Sequence, residues 1–250
     1  MDVRRFRGDL YQLANRACRG DDRDVRSKVF EIADILVGLY RKNFVKINHS
    51  ALELVLARSL IRQGYDVKVE HKLDRTLVCD VYGTGLDGPL NAEIETGFIP
   101  PEAALEPSGY ARSRIASKIA RYSRFASRFA LGTTPSYVLD FPHFFVKPPR
   151  SRTRPEAEAI KALTDVRYNK PPISVEEMLR ARLDSVFLID VDSATTKELG
   201  PAEYLEDAAL FMDVHHSDQR LNQKHRLGER GFKFRESAEG TRQEGFVSEF

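Results

Sequence analysis

The segment Thr76–Phe98, TLVCDVYGTGLDGPLNAEIETGF, decides the fold because it contains two strand patterns joined by a turn. TLVCDVYG is a nearly continuous apolar run, LNAEIETGF alternates apolar and polar residues, and GTGLDGP between them is typical of a hairpin. Side chains two residues apart in a strand lie on the same face, so Glu93 and Glu95 point the same way. Two carboxylates placed like this repel each other unless water, a base or a cation lies between them. The pattern predicts either a solvated strand face or a metal site.

Helical and strand patterns continue on both sides of this hairpin. Apolar residues at helical spacing predict helices over 26–41 and 49–63, and YDVKVEHKL predicts a strand over 65–73. A long helix is predicted from Ser108 to Leu131. Its apolar stripe consists of Ile115, Ile119, Tyr122, Ala126 and Phe129.

The rest of the chain alternates between the same two patterns. PSYVLDFPHFFV predicts a strand over 135–146, and KPPRSRTRPEAE predicts a stiff basic loop over 147–158. A helix over 174–183, a buried strand over 184–192 and a helix over 200–214 follow. Helices and strands in this order predict an α/β fold, in which a mixed central β-sheet is flanked by helices.

The domain boundaries follow from where the pattern changes. We expect an N-terminal helical extension over 1–47, an α/β domain over 48–216 and a polar C-terminal tail over 217–250. The chain has 250 residues, of which 42% are hydrophobic and 30% charged, as in soluble globular proteins. Two distant cysteines and no apolar signal core favour a cytoplasmic protein. No run approaches the roughly 18 apolar residues of a membrane span, so a membrane partner is not expected.

Positive charge is concentrated after the hairpin. Between Ser108 and Arg154 there are ten lysines and arginines and one acid, Asp140. Such a cluster predicts a polyanion partner, although a solvated helix followed by a basic linker gives the same pattern. The residues expected to contact nucleic acid are Arg112, Arg114, Arg121, Arg124, Arg128, Lys147 and Arg150.

Four acids are candidates for one site. Asp80 lies inside an apolar strand, where a charge is costly unless it is paired or bound to a cation. The hairpin brings Asp80 beside Glu93, and converging carboxylates suit magnesium or manganese. Glu53 lies on or beside the buried face of the preceding helix. It fits two interpretations, an active-site acid and the last residue of a capping box that begins at Ser50. His49, one turn before Glu53, fits either an accessory base or a surface residue.

These residues resemble the PD-(D/E)XK nuclease superfamily, with its restriction-endonuclease-like or Holliday-junction-resolvase-like core. The resemblance covers residues 48–146. It rests on Glu53 in HSALELVLARSLIRQG, Asp80 in VCDVYG, and Glu93 with Glu95 in AEIET. The sequence departs from the family pattern because Glu95 stands where lysine is usual. Some family members move that lysine to the following helix, and Lys118 matches this alternative.

The resemblance implies a magnesium- or manganese-dependent nuclease that hydrolyses DNA, with RNA also open. Asp80, Glu93 and Glu53 would hold the metal, Glu95 would orient or deprotonate water or share a second cation, and Lys118 would stabilise the nucleophile or phosphate. A homodimer is expected if both strands of a duplex are cut.

Two other functions involve the same kinds of residue. One is a nuclease-like fold with little or no catalysis that serves as a nucleic-acid-binding or assembly module, which the Glu95 departure favours. The other, a retaining glycosidase, is disfavoured because its two carboxyl groups face each other across a sugar. Carboxylates on the same face of one strand do not straddle a substrate in this way.

Overall fold

The computed structural model describes residues 2–209. Its helices and strands, in chain order, are α1 (Val3–Ala17), α2 (Arg23–Arg41), α3 (Ile47–Arg62), β1 (Asp66–Lys72), β2 (Val78–Gly85), β3 (Gly88–Glu95), α4 (Pro107–Tyr122), β4 (Arg128–Thr133), α5 (Arg154–Asp165), α6 (Val175–Arg180), β5 (Ser185–Asp190) and β6 (Thr195–Leu199). Residues 201–209 are also helical. The chain is therefore α/β, as its sequence predicts.

The six strands form one mixed sheet in the order β1-β2-β3-β4-β5-β6. The β1–β2, β2–β3 and β5–β6 pairs are antiparallel, whereas β3–β4 and β4–β5 are parallel. Gly88, with φ of +92°, closes the tight β2–β3 hairpin because glycine adopts this backbone conformation without strain. The parallel pairs require crossovers, which α4 provides between β3 and β4, and α5 and α6 provide between β4 and β5.

The two faces of β3 contact different helices. Leu90, Ala92 and Ile94 belong to the main hydrophobic core, which also contains the apolar faces of α1, α2 and α3. The alternate residues of β3 are polar, and they contact α4 instead: the side-chain amide of Asn91 donates to the carbonyl of Tyr122 at 3.1 Å. Helices thus flank the sheet, and the polar face of β3 lies under α4 in the middle of the molecule.

The long helix expected over Ser108–Leu131 is wrong in its second half. The helix α4 ends at Tyr122, and residues 128–133 form β4, which pairs with β3. Phe129 fits the helical spacing of the expected apolar stripe, but it lies in β4. A strand that is buried on both faces has no alternation, so its period does not distinguish it from a buried helix. Arg124 therefore lies in a turn after α4, and Arg128 lies in β4. The basic residues expected on one face of a long helix do not share a helix.

Two other expectations change between residues 135 and 165, and a strand that the sequence does not predict follows at 195–199. The strand over 135–146 is absent: this segment contains two prolines, which lack the N–H that a strand ladder needs, and forms only a short 3₁₀ turn at His143–Phe145. The end of the expected basic loop is α5, which starts with a capping box between Thr153 and Glu156. Strand β6 was not predicted. The expected helix over 26–41, the hairpin and strand β5 are confirmed.

The boundaries of the expected domains are only partly covered. Helices α1 and α2 share the hydrophobic core with α3 and the sheet, while the division at residue 47 stays a prediction. The chain separates into two compact units after Tyr204, and the expected tail over 217–250 lies outside the described residues. Within the described part of the chain, no helix is both long and apolar enough to cross a bilayer.

Candidate metal and phosphodiester site

The site begins where β2 and β3 separate. Backbone pairing between these strands ends at Val81 and Ala92, one residue before Asp80 and Glu93 would face each other. Side chains replace the missing ladder bonds: the Asp80 amide donates to Glu93 Oε1 at 3.4 Å, and the Ile94 amide donates to Asp80 Oδ2 at 2.5 Å. The two strands therefore hold both acids side by side.

The Lys118 ammonium lies among the acids of the hairpin. Its Nζ atom is 2.7 Å from Glu95 Oε1, 3.0 Å from Glu93 Oε2 and 3.9 Å from Asp80 Oδ2. It also donates to the carbonyl oxygen of Ile94 at 3.5 Å. Glu93 and Glu95 are almost fully buried. The Lys118 ammonium thus lies between the carboxylates of Glu93 and Glu95. This face of β3 is buried and not solvated.

Helix α3 brings two further groups to the same place. Glu53 is fully buried, and its carboxyl group lies against that of Glu70 with no N–H donor of the described residues within hydrogen-bonding distance. His49, one turn earlier, places Nε2 3.7 Å from Glu53 Oε1 and 3.2 Å from Asp80 Oδ1. The helix starts at Ile47, so Ser50 is inside it and the capping-box interpretation of Glu53 is wrong. An unpaired buried carboxylate is costly and requires a ligand or a proton.

The geometry of His49, Glu53 and Asp80 suits a metal ion. Each offers one ligand atom, and these three atoms lie within 4.8 Å of one another. One imidazole nitrogen and carboxylate oxygens form a mixed ligand set that divalent cations such as Mn²⁺ accept. These residues could therefore hold a divalent cation.

The pKa values of the acids differ in direction because their neighbours differ. Burial and the nearby Asp80 charge raise the pKa of Glu53 well above its usual value. Burial and Asp80 also raise the pKa of Glu93, against the opposing effect of Lys118. Burial alone would raise the pKa of Asp80, but Lys118 and His49 outweigh it, so this pKa is lowered. The environment thus favours the ionised form of Asp80, whereas it favours the neutral forms of Glu53 and Glu93.

Lys118 is held in its charged form. Burial opposes the charge, but the carboxylates of Glu93, Glu95 and Asp80 outweigh it and raise the pKa of Lys118 well above its usual value. Arg114 supports the outer side of the cluster, where its Nε donates to Glu95 Oε1 at 3.2 Å. The site therefore has two permanent cations on the side of Glu95.

Glu70 is a further acid of the site that was not predicted. The β1–β2 register places it opposite Asp80, between the paired residues Val69 and His71. Its φ of +48° lies in the left-handed region, which is strained for a residue other than glycine, asparagine or aspartate. Burial and the Asp80 charge raise its pKa. The alternation of YDVKVEHKL contains no signal for this distortion, since the strand pattern predicts an ordinary extended residue.

Substitutions at Glu70 are expected to separate backbone strain from loss of the carboxyl group. Glu70→Asn and Glu70→Ala both remove the acid, but asparagine tolerates the left-handed conformation and alanine does not. The asparagine variant should therefore be more stable than the alanine variant by about 1 kcal/mol in urea unfolding. Equal stability of the two variants would show that residue 70 is not left-handed.

The predicted nucleic-acid-binding residues are mostly engaged within the protein. Their partners are Asp140 for Arg112, Glu95 for Arg114, the carbonyls of Tyr168 and Pro171 for Arg121, Glu177 and Asp74 for Arg124, Glu198 for Arg128, and Glu156 for Lys147. Arg150 is exposed and makes no ion pair with the part of the chain that the structure describes. A count of charges along 108–154 misses these acids because most of them come from other segments.

The structure brings all five expected catalytic residues into one cluster: Glu53, Asp80, Glu93, Glu95 and Lys118. No family model, no curated protein and no solved structure matches this chain. The function therefore has to be argued from the geometry of the cluster itself.

Proposed function

We propose that this chain is a metal-dependent nuclease that hydrolyses phosphodiester bonds in DNA. The observation that carries the proposal is the Glu53 carboxyl group, which is fully buried among His49, Asp80 and Glu70 with no permanent cation beside it. A buried carboxylate is costly unless a proton or a cation neutralises it, and the ligand atoms of His49 and Asp80 beside Glu53 favour the cation. Mg²⁺ or Mn²⁺ would fit the ligand set. A homodimer would be needed only if the protein cuts both strands of a duplex.

The order of elements around the cluster supports a restriction-endonuclease-like core. In such a core a helix with a glutamate precedes a hairpin that carries an aspartate and a second acidic motif. Here α3 carries Glu53, and the β2–β3 hairpin carries Asp80, Glu93 and Glu95. The crossover helix α4 then supplies Lys118, in place of the lysine that the family usually has at residue 95.

Each residue has a distinct role in this proposal. A divalent cation, when bound, makes a water molecule more acidic and offsets charge that develops on a phosphodiester. His49, Glu53 and Asp80 would bind the cation. Lys118 would offset the charges of Glu93 and Glu95, so that an anionic substrate can approach the acids. Glu95, between Lys118 and Arg114, would orient the attacking water.

The alternative, a nuclease-like module with little catalysis, is favoured by one observation. Lys118 already contacts the oxygens of Glu93 and Glu95, which active relatives would use around the reacting phosphate. Such a module would still bind nucleic acid, but it would not cleave it with any metal ion present.

Cleavage of a substrate panel tests the proposal. Labelled single-stranded, duplex and branched DNA, together with RNA, would be incubated with Mn²⁺, with Mg²⁺ or with EDTA. Cutting that needs the metal and is lost in Asp80→Ala and Glu93→Ala is expected. Binding without cutting would favour the module, and neither binding nor cutting by folded protein would overturn both functions.

Arg150 is expected to contribute to nucleic-acid binding through its free charge. Arg150→Glu should weaken binding of duplex DNA and lower the slope of log affinity against log salt by about 1. Arg5→Glu, the same change on the exposed surface of α1, is the matched control. Fluorescence anisotropy at several salt concentrations measures both variants. Equal slopes for Arg150→Glu and wild type would remove this residue from the interface.

A further inference from the structure

The acidic cluster has two halves that share Asp80. In one half, Lys118 contacts Glu93, Glu95 and the carbonyl of Ile94. In the other half, His49 contacts Glu53 Oε1 and Asp80 Oδ1, with Glu70 on the strand next to Asp80. Asp80 links the halves, because its Oδ2 atom faces Lys118 while its Oδ1 atom faces His49.

The charges of the two halves are unequal. Glu93 and Glu95 have Lys118 and Arg114 as permanent cations. Glu53 has no permanent cation beside it: the structure places the His49 imidazole 3.7 Å from its Oε1 atom and the Glu70 carboxyl group against it. Five carboxyl groups thus meet two permanent cations, and both cations lie in the half that contains Glu93 and Glu95.

The Lys118 ammonium lies where a second metal ion would have to bind. A divalent cation coordinates carboxylate oxygens at about 2.0–2.6 Å. An ion on the facing oxygens of Glu93 and Glu95 would therefore lie against Nζ, which is only 3.0 Å and 2.7 Å from those oxygens. Two cations so close repel each other strongly in a buried site. The ammonium and an ion cannot share these ligands.

We propose that the chain binds one divalent cation per site, through His49, Glu53 and Asp80, and that Lys118 permanently takes the place of a second cation. This inference rests on the proposed function, since it specifies the cofactor of the same site. It assigns Glu93 to the lysine rather than to the metal. An imidazole nitrogen among the ligands favours a transition-metal ion over Mg²⁺, so Mn²⁺ is the appropriate probe.

Counting bound Mn²⁺ by electron paramagnetic resonance tests this inference without any activity measurement. The wild-type chain should bind one ion. Lys118→Met should bind two, because it frees the oxygens of Glu93 and Glu95, and Arg114→Met, which removes a cation from the outer side of Glu95, should still bind one. Two ions on the wild type, or one on folded Lys118→Met, would overturn the inference.

Two isosteric variants distinguish the halves if Lys118→Met does not fold. Glu53→Gln should weaken Mn²⁺ binding at least about ten-fold, because loss of a group that holds or orients a metal ligand lowers metal affinity by about that factor or more. Glu93→Gln should keep one ion with an affinity within about three-fold of the wild type. A stronger loss in Glu93→Gln than in Glu53→Gln would overturn the inference while leaving the nuclease function standing. No Mn²⁺ binding by the wild type at millimolar concentration would overturn both.

Discussion

Lys118→Met is expected to destabilise the metal-free protein by about 3–5 kcal/mol, the cost of removing one partner from a buried ion pair. The substitution keeps the length of the side chain but removes the charge that contacts Glu93 and Glu95, both almost fully buried. The Glu93 carboxylate would then have no cation in the interior, and Glu95 would keep only Arg114. Equilibrium urea unfolding in EDTA at neutral pH measures the effect, and saturating Mn²⁺ should recover part of the loss.

Arg114→Met is the matched control for this result. Arg114 also contacts Glu95, but its side chain is 29% exposed, and Lys118 remains in place to pair with the acid. Its loss should cost about 1 kcal/mol or less. If Lys118→Met were as stable as Arg114→Met, the ammonium would not be compensating buried charge, and the account of the site would be wrong.

Asp80→Asn is expected to lower metal-dependent cleavage by at least about 1000-fold, equivalent to about 4 kcal/mol of transition-state stabilisation. The change keeps the shape of the side chain and removes the one acid that belongs to both halves of the cluster. Single-turnover cleavage of the best DNA substrate in Mn²⁺ measures the loss.

Asp87→Asn makes the same chemical change at the exposed tip of the same hairpin, away from the cluster. It should cleave at the wild-type rate, which separates loss of the site from a general effect of a lost charge. Cleavage by Asp80→Asn within ten-fold of the wild type would contradict a role for Asp80 as a ligand.

The sequence predicts the hairpin acids well because a strand has a strict period of two residues. Asp80 and Glu93 lie thirteen residues apart on either side of a tight turn, and the observed register places them side by side. The helical pattern places Lys118 on the first half of the expected long helix, which is α4. Its place in the site was indicated by the resemblance to the nuclease superfamily and not by periodicity.

Features that depend on tertiary structure were not predictable in the same way. Glu70 enters the site through a left-handed backbone inside a strand, which no alternation pattern indicates. The sequence of β4 predicts a helix, because a strand that is buried on both faces lacks the alternation of apolar and polar residues. The partners of the arginines lie far away in sequence, as with Glu198, 70 residues from Arg128. A local excess of positive charge is therefore a weak guide to a nucleic-acid interface when distant acids neutralise it.

The measurement that tests the central claim most directly is anomalous X-ray scattering from crystals of the protein soaked in Mn²⁺. We expect one anomalous peak per site, within about 2.0–2.6 Å of ligand atoms of His49, Glu53 and Asp80, with Lys118 still in contact with Glu93 and Glu95. A cluster without a peak, while Mn²⁺ occupies only acids at the protein surface, would contradict it.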